Sequence, residues 1–238
     1  MREIKRRSDY GTVRATARDL ELLSWIGDQF AVNTDQLKIL MNRWKRANEP
    51  DWLEESISDE TVRWLIKRWR KAVWVESRKL LAREPAWVWL SKAGLTEMGL
   101  KYPDYTPAVG RLRHIYHVNM VRLYIEKRRG DEVQWISERQ INVERKKEGK
   151  RHMVDGEAVY QGTVIGVEVE QTQKSKRRLA SIVRELQQDY EAVWYFVADS
   201  AMDAVREAIS RIEGTDNQDT WRSFIIYPLA DALKQTDL

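Results

Sequence analysis

Val164-Ile165-Gly166-Val167-Glu168-Val169-Glu170-Gln171-Thr172-Gln173-Lys174 reads with a period of two. In a strand, successive side chains point to opposite faces. Ile165, Val167 and Val169 therefore form one apolar face toward a core. Glu168, Glu170 and Thr172 share the other, with Lys174 just beyond. An earlier strand-like run, 151–160, carries Met153-Val154-Asp155-Gly156, and a Gln161-Gly162 turn joins it to the first. Folding the two runs into a hairpin brings Asp155 to the same end as Glu168 and Glu170. Clustered carboxylates repel one another in a low-dielectric setting. A hard divalent cation such as Mg2+ or Mn2+ relieves that repulsion, because it prefers oxygen ligands. A bound metal of this kind activates water and stabilises a phosphoryl transition state. Asp155, Glu168 and Glu170 are thus the candidate metal ligands.

Outward from the hairpin, the pattern alternates helix and strand. Residues 112–129 predict a helix and 133–137 a short strand leading to Glu138. After the hairpin come an amphipathic helix over 175–190 and a buried strand over 192–198. A helix over 201–212 and a last strand within 221–229 complete the order. The order α-β-β-β-α-β, then α-β, predicts a mixed sheet flanked by helices, an α+β or α/β domain over 111–238. Lys174, Lys176, Arg177 and Arg178 crowd the first turn of the 175–190 helix. Cations there oppose the helix dipole, and a bound phosphate would reconcile them. Simple solvation of long side chains is the plainer alternative. Arg145, Lys146, Lys147, Lys150 and Arg151 make a second basic loop, able to track a nucleic-acid backbone. His114 and His117 lie one helical turn apart without a third ligand, so a packed, hydrogen-bonded role is expected for them. His152 lies close enough to Asp155 to approach a substrate, but nothing requires it.

Residues 101–110 hold two prolines and a glycine, helix periodicity stops there, and a linker is expected. Residues 1–100 read as a separate domain. A helix over 18–30 is followed by a second over 35–44, with Thr34 as its expected N-cap. The sharp connection Ala31-Val32-Asn33 sets the two at an angle, as in a helix-turn-helix. Ser58 caps a third helix whose buried stripe is Val62, Leu65, Ile66 and Trp69. Arg63, Lys67, Arg70 and Lys71 lie on another face. From Thr61 to Lys79 there are seven basic residues and one acidic one. Like charges at i, i+4 destabilise an isolated helix, and a polyanion offsets them. Two strand-like runs follow, 72–79 and 86–91, with Arg78, Lys79 and Arg83 toward their turn. Three helices and a basic hairpin are the order of a winged helix-turn-helix. Its third helix would enter a major groove and its wing would touch the backbone.

The bulk numbers bound the class. The chain has 238 residues, enough for two small domains with real cores. With 42% apolar and 33% charged residues it has a folded profile, not a disordered one. The net charge of +4 is mild, so the local basic faces carry the argument for a DNA partner. There are no cysteines, which excludes disulfides and cysteine-based zinc sites and fits a cytoplasmic protein. No apolar run approaches a membrane span, so no membrane partner is expected. No Ser-His-Asp set, glycine-rich phosphate loop or dinucleotide fingerprint occurs.

The Val154-Asp155-Gly156 strand, the hairpin, and the Glu168-Val169-Glu170 strand running into a helix resemble the PD-(D/E)xK nuclease superfamily. Ser137-Glu138-Arg139 resembles the upstream glutamate that this superfamily adds to its site. With the winged helix, the whole chain resembles the replication-relaxation family of plasmids and mobile elements. The resemblance implies a metal-dependent DNA nuclease or nickase. Asp155 and Glu168 would bind metal, and Glu170 would bind metal or orient water. Glu138 would support the site and Lys174 would stabilise developing phosphate charge. The winged helix would deliver the DNA. Two positions depart from the pattern: Val154 replaces the usual proline, and Glu170 stands at the usual lysine. Those departures keep a second reading open, a non-catalytic DNA-binding regulator or replication accessory. Its nuclease-like domain would then serve packing or homodimer formation.

Overall fold

The computed structural model describes residues 13–49, 56–145, 152–213 and 223–234. The chain divides into two compact units, Met1–Pro107 and Ala108–Leu238. The division falls inside the 101–110 stretch. Part of that stretch is packed on the first unit, where Tyr102 donates to Asp28 at 2.8 Å and Tyr105 lies against Phe30. Among the described residues no helix is long and apolar enough to cross a membrane.

The first unit is built from α1 (Ala17–Asp28), β1 (Val32–Asn33), α2 (Thr34–Asn48), α3 (Asp59–Lys71), β2 (Val75–Arg78), β3 (Trp87–Leu90) and α4 (Lys92–Glu97). Its three-stranded sheet runs β1-β3-β2, all antiparallel. The N-cap of α2 is Asn33 and not Thr34. Asn33 Oδ1 accepts from Gln36 N–H, and the Gln36 side chain accepts in return from the Asn33 N–H. This reciprocal pair uses two otherwise orphaned donors, which is why the helix starts one residue early. The same arrangement starts α1, through Thr16 and Asp19. Ser58 caps α3 as expected.

Asp19 has a second role. Fully buried, it accepts from Arg68 Nη1 at 2.7 Å and from Trp69 Nε1 at 2.8 Å, tying α1 to α3. Burial alone would raise its carboxyl. The hydrogen bonds from Thr16, Arg68 and Trp69 outweigh burial and hold it below the usual carboxylate range. Helix α3 ends with Trp74 N–H on Trp69 O and Val73 N–H on Arg70 O. This is the Schellman pattern, with Val73 left-handed at φ 61°.

The second unit holds α5 (Leu112–Arg129), β4 (Val133–Ser137), α6 (Glu138–Arg145), β5 (Gly156–Tyr160), β6 (Thr163–Glu170), α7 (Lys176–Asp189), β7 (Ala192–Val197), α8 (Met202–Glu213), β8 (Ser223–Pro228) and α9 (Leu229–Leu233). Its five-stranded sheet runs β4-β5-β6-β7-β8. β4, β5 and β6 form an antiparallel meander, while β6-β7 and β7-β8 are parallel, as helical crossovers require. The Gln161-Gly162 turn has both residues at positive φ, 50° and 81°, the two-residue hairpin geometry that matches strand twist. The predicted helix at 112–129 and strand at 133–137 have the boundaries found. The short helices α6 and α9 have too few turns for a periodic signal. Asp155 lies just before β5 and not within it.

Both faces of the sheet are covered. Ile165, Val167 and Val169 pack with Val121, Tyr124 and Ile125 of α5 and with Leu229 of α9. On the other face Val193, Tyr195 and Val197 pack with Leu179, Ile182, Val183 and Leu186 of α7, and with Val205 and Ile209 of α8. Glu168 and Glu170 stand in register with Tyr195 and Val197, so they belong to this second, buried face. The alternation is as read, but the acidic face lies under helices and not in solvent.

Candidate acidic site and basic helix

The carboxylates gather at the end of the β5-β6 hairpin. Asp155 is fixed by its backbone N–H on Val167 O at 3.1 Å and by Val169 N–H donating to its Oδ2 at 2.8 Å. Gly156 must follow it, because a Cβ there would overlap the Trp135 ring packed across β4. Asp155 Oδ1 meets His114 Nε2 at 2.7 Å. The Gln171 amide donates to His114 Nδ1 at 2.9 Å, which leaves the ring proton on Nε2, facing Asp155. Burial would lower His114. The hydrogen bond and charge of Asp155 overcome it and raise the imidazole above its ordinary value.

Glu168 is only 4% exposed, and its Oε2 meets His152 Nε2 at 3.2 Å. Burial first, and the charge of Asp155 second, push Glu168 up to about 7 against the opposing pull of His152 and Lys174. Glu170, equally buried, makes a close ion pair with Lys174. Tyr195 is fully buried. Its phenol is raised by burial and by the charges of Glu168, Glu170 and Asp155, so it stays protonated. Glu138, at the start of α6, pairs with Arg111 at 3.4 Å. Burial raises it, Arg111 opposes, and Asp155 adds to the rise.

Asp155 and Glu168 feel one another's charge, as do Asp155 and Glu138, while Lys174 is engaged with Glu170. Two histidines complete the set. His114 is a partner of Asp155 and not a core residue, and His152 is the partner of Glu168. Neither has a recognisable spacing to its carboxylate, since His114 is 41 residues away. Thr172 is exposed and stands apart from the buried face.

The donor chemistry is the oxygen-rich kind that a hard divalent cation prefers, and burial first and the charge of Asp155 second already raise Glu168. The described arrangement pairs these carboxylates with protein groups instead. Among the described residues no three His, Asp or Glu side chains stand close enough to share an ion. A cation would have to displace His152 from Glu168 and Lys174 from Glu170.

The basic positions fall into three groups. Arg63, Lys67, Arg70 and Lys71 are exposed along α3, and none makes a hydrogen bond or ion pair with another described residue. Arg78 and Lys79 are exposed at the end of β2, but Arg78 is engaged with Glu76 at 2.7 Å and lies over Trp89. Lys176 and Arg177 open α7, where Ser175 caps the helix by accepting from Arg178 N–H. Lys176 pairs with Glu207 at 3.2 Å, so the first-turn cations are satisfied in part by α8. Lys146 and Lys147 lie outside the described residues.

No family model, curated protein or solved structure matches the chain.

Proposed function

We propose that this chain binds DNA through its first unit and cleaves or nicks a DNA phosphodiester at the acidic site of its second. The convergence of Asp155, Glu168 and Glu170 with Lys174 at one hairpin end carries the reading. The αβββαβ order with a meander and a parallel crossover supports a PD-(D/E)xK-type domain. The helix and strand order of the first unit, with its β1-β3-β2 sheet, supports a winged helix. The host process implied by the resemblance is plasmid or mobile-element replication or transfer.

Asp155 and Glu168 would hold Mg2+ or Mn2+, with Glu170 as third ligand or as the group orienting water. A bound cation of this kind supplies Lewis-acid charge and lowers the pKa of water. The chain's own groups do the rest. His114 and the Val169 N–H fix the rotamer of Asp155. Lys174, released from Glu170, would stabilise negative charge growing on a phosphate. Glu138 lends its charge beside Asp155 and is steadied by Arg111.

A second reading is favoured by one observation: each carboxylate already has a protein partner. In that reading the second unit is a stable scaffold, and the chain is a regulator or replication accessory.

The test is incubation with supercoiled and linear DNA, with Mg2+, with Mn2+ and with chelator, beside an Asp155→Ala/Glu168→Ala variant. Metal-dependent nicking or cutting that the variant lacks is the expected result. Tight binding without cleavage under any metal overturns the nuclease reading and leaves the accessory one.

A further inference from the structure

Trp64 is 60% exposed, while the other described tryptophans are buried or, for Trp44, half-buried. Its place on α3 is specific. Val62, Leu65, Ile66 and Trp69 form the buried stripe. Trp64, Lys67 and Lys71, at i, i+3 and i+7, run along the opposite crest. Arg63 and Arg70 lie on one flank of that crest. Arg68, on the other, is committed to Asp19. An indole therefore sits in water on an outward face that Glu60 opens one turn before it and that Lys67 and Lys71 continue after it. An isolated apolar side chain on a surface needs no explanation. This one is large, and the cations that follow it along the crest, Lys67 and Lys71, make no hydrogen bond or ion pair with another described residue. The helix is anchored from its other sides, by the buried stripe and by Arg68 on Asp19.

The surface fits a partner with negative charge outside and apolar edges recessed between. Duplex DNA has that layout: phosphates line the major groove, and base edges with thymine methyl groups lie on its floor. We infer that Trp64 is the base-contacting residue of α3, placed against base edges while Arg63, Lys67, Arg70 and Lys71 hold the flanking phosphates. This rests on the DNA-binding reading of the first unit. It gives that reading a residue for base contact beside the basic side chains of α3.

The experiment selects a random-sequence duplex library with the full chain. Affinities for a selected and a scrambled duplex are then measured across a salt series. The proteins compared are the wild type, Trp64→Ala and Lys67→Ala/Lys71→Ala, with circular dichroism to confirm that each is folded. Trp64→Ala is expected to lower the preference for the selected duplex about tenfold and leave the salt slope unchanged. The lysine variant is expected to weaken binding to both duplexes and to make the slope shallower by about 2. If Trp64→Ala keeps the preference while the lysine variant weakens binding, the role of Trp64 is overturned and the DNA reading stands. A selection that enriches no sequence overturns it as well. Failure of the wild type to bind any duplex at low salt overturns both. A change from dimer to monomer in sedimentation, with the preference intact, gives Trp64 to self-association instead.

Discussion

Val73 occupies the position where a helix ending in this pattern normally carries glycine. A β-branched residue at φ 61° is strained, and its side chain is 62% exposed, so packing returns nothing. Val73→Gly should stabilise the first unit by about 1 kcal/mol, seen as a higher midpoint in thermal unfolding. A lower midpoint would mean that the side chain has a partner. Glu168 presents the opposite kind of strain, electrostatic and at the site. Its carboxyl lies near 4.5 when unperturbed and is pushed up to about 7 here by burial and by Asp155. A raised carboxyl costs nothing below its unfolded value, and stability is lost as pH climbs from there through the folded value. Without divalent metal, the second unit should be less stable at pH 8 than at pH 5. Glu168→Gln should remove this loss and stabilise the protein at pH 8 by roughly 1–3 kcal/mol. Denaturant midpoints at the two pH values check this, and an unchanged pH dependence in the variant would refute it.

At the scale of elements, the junction of α1 and α3 rests on one buried ion pair with extra donors. Removing a single partner of such a pair leaves the other charge stranded. Asp19→Ala should destabilise the first unit by about 3–5 kcal/mol, with hydrogen exchange rising in α1 and α3. If exchange in those helices does not change, Asp19 is not what orders α3. The dependence on pH follows from the lowered carboxyl. Its contribution is present above the unfolded value and lost as acid takes the pH down through the folded one. What was legible in sequence at this scale was whatever repeats. The stripe of α3 and the period-two run of β6 gave their own faces. Caps were legible by residue type, but Thr34 and Asn33 are both good caps. Only the reciprocal bond from Gln36 decides between them. The two-residue β1 was invisible, because its order comes from pairing with Val88 and Trp87 across the unit.

Across the whole molecule, the order of elements predicted the mixed sheet flanked by helices. The acidic cluster was legible because a hairpin converts sequence spacing into spatial proximity. Its histidine partners were not, because His114 arrives from a helix that packs against the sheet by long-range contacts. Local spacing cannot encode that approach. The same limit hid the burial of Glu168 and Glu170. Alternation says which side chains share a face, and only the crossover helix α7 makes that face an interior. Trp64 was readable in principle: a tryptophan on the side of α3 away from its stripe is already out of place.

The two-residue turn between β5 and β6 has a consequence for how the second unit comes into being. Hairpin closure is among the fastest local events in folding, on the order of microseconds, whereas contacts distant in sequence come later. Asp155 and Glu168 should therefore be driven together before His114 is delivered to Asp155. That leaves a moment when Asp155 lacks the counter-charge that His114 brings. Refolding in stopped flow at pH 8 should then be faster for Asp155→Asn than for the wild type, and an equal or slower rate would refute this. A cluster of like charges would thus act as a brake on the chain that forms it.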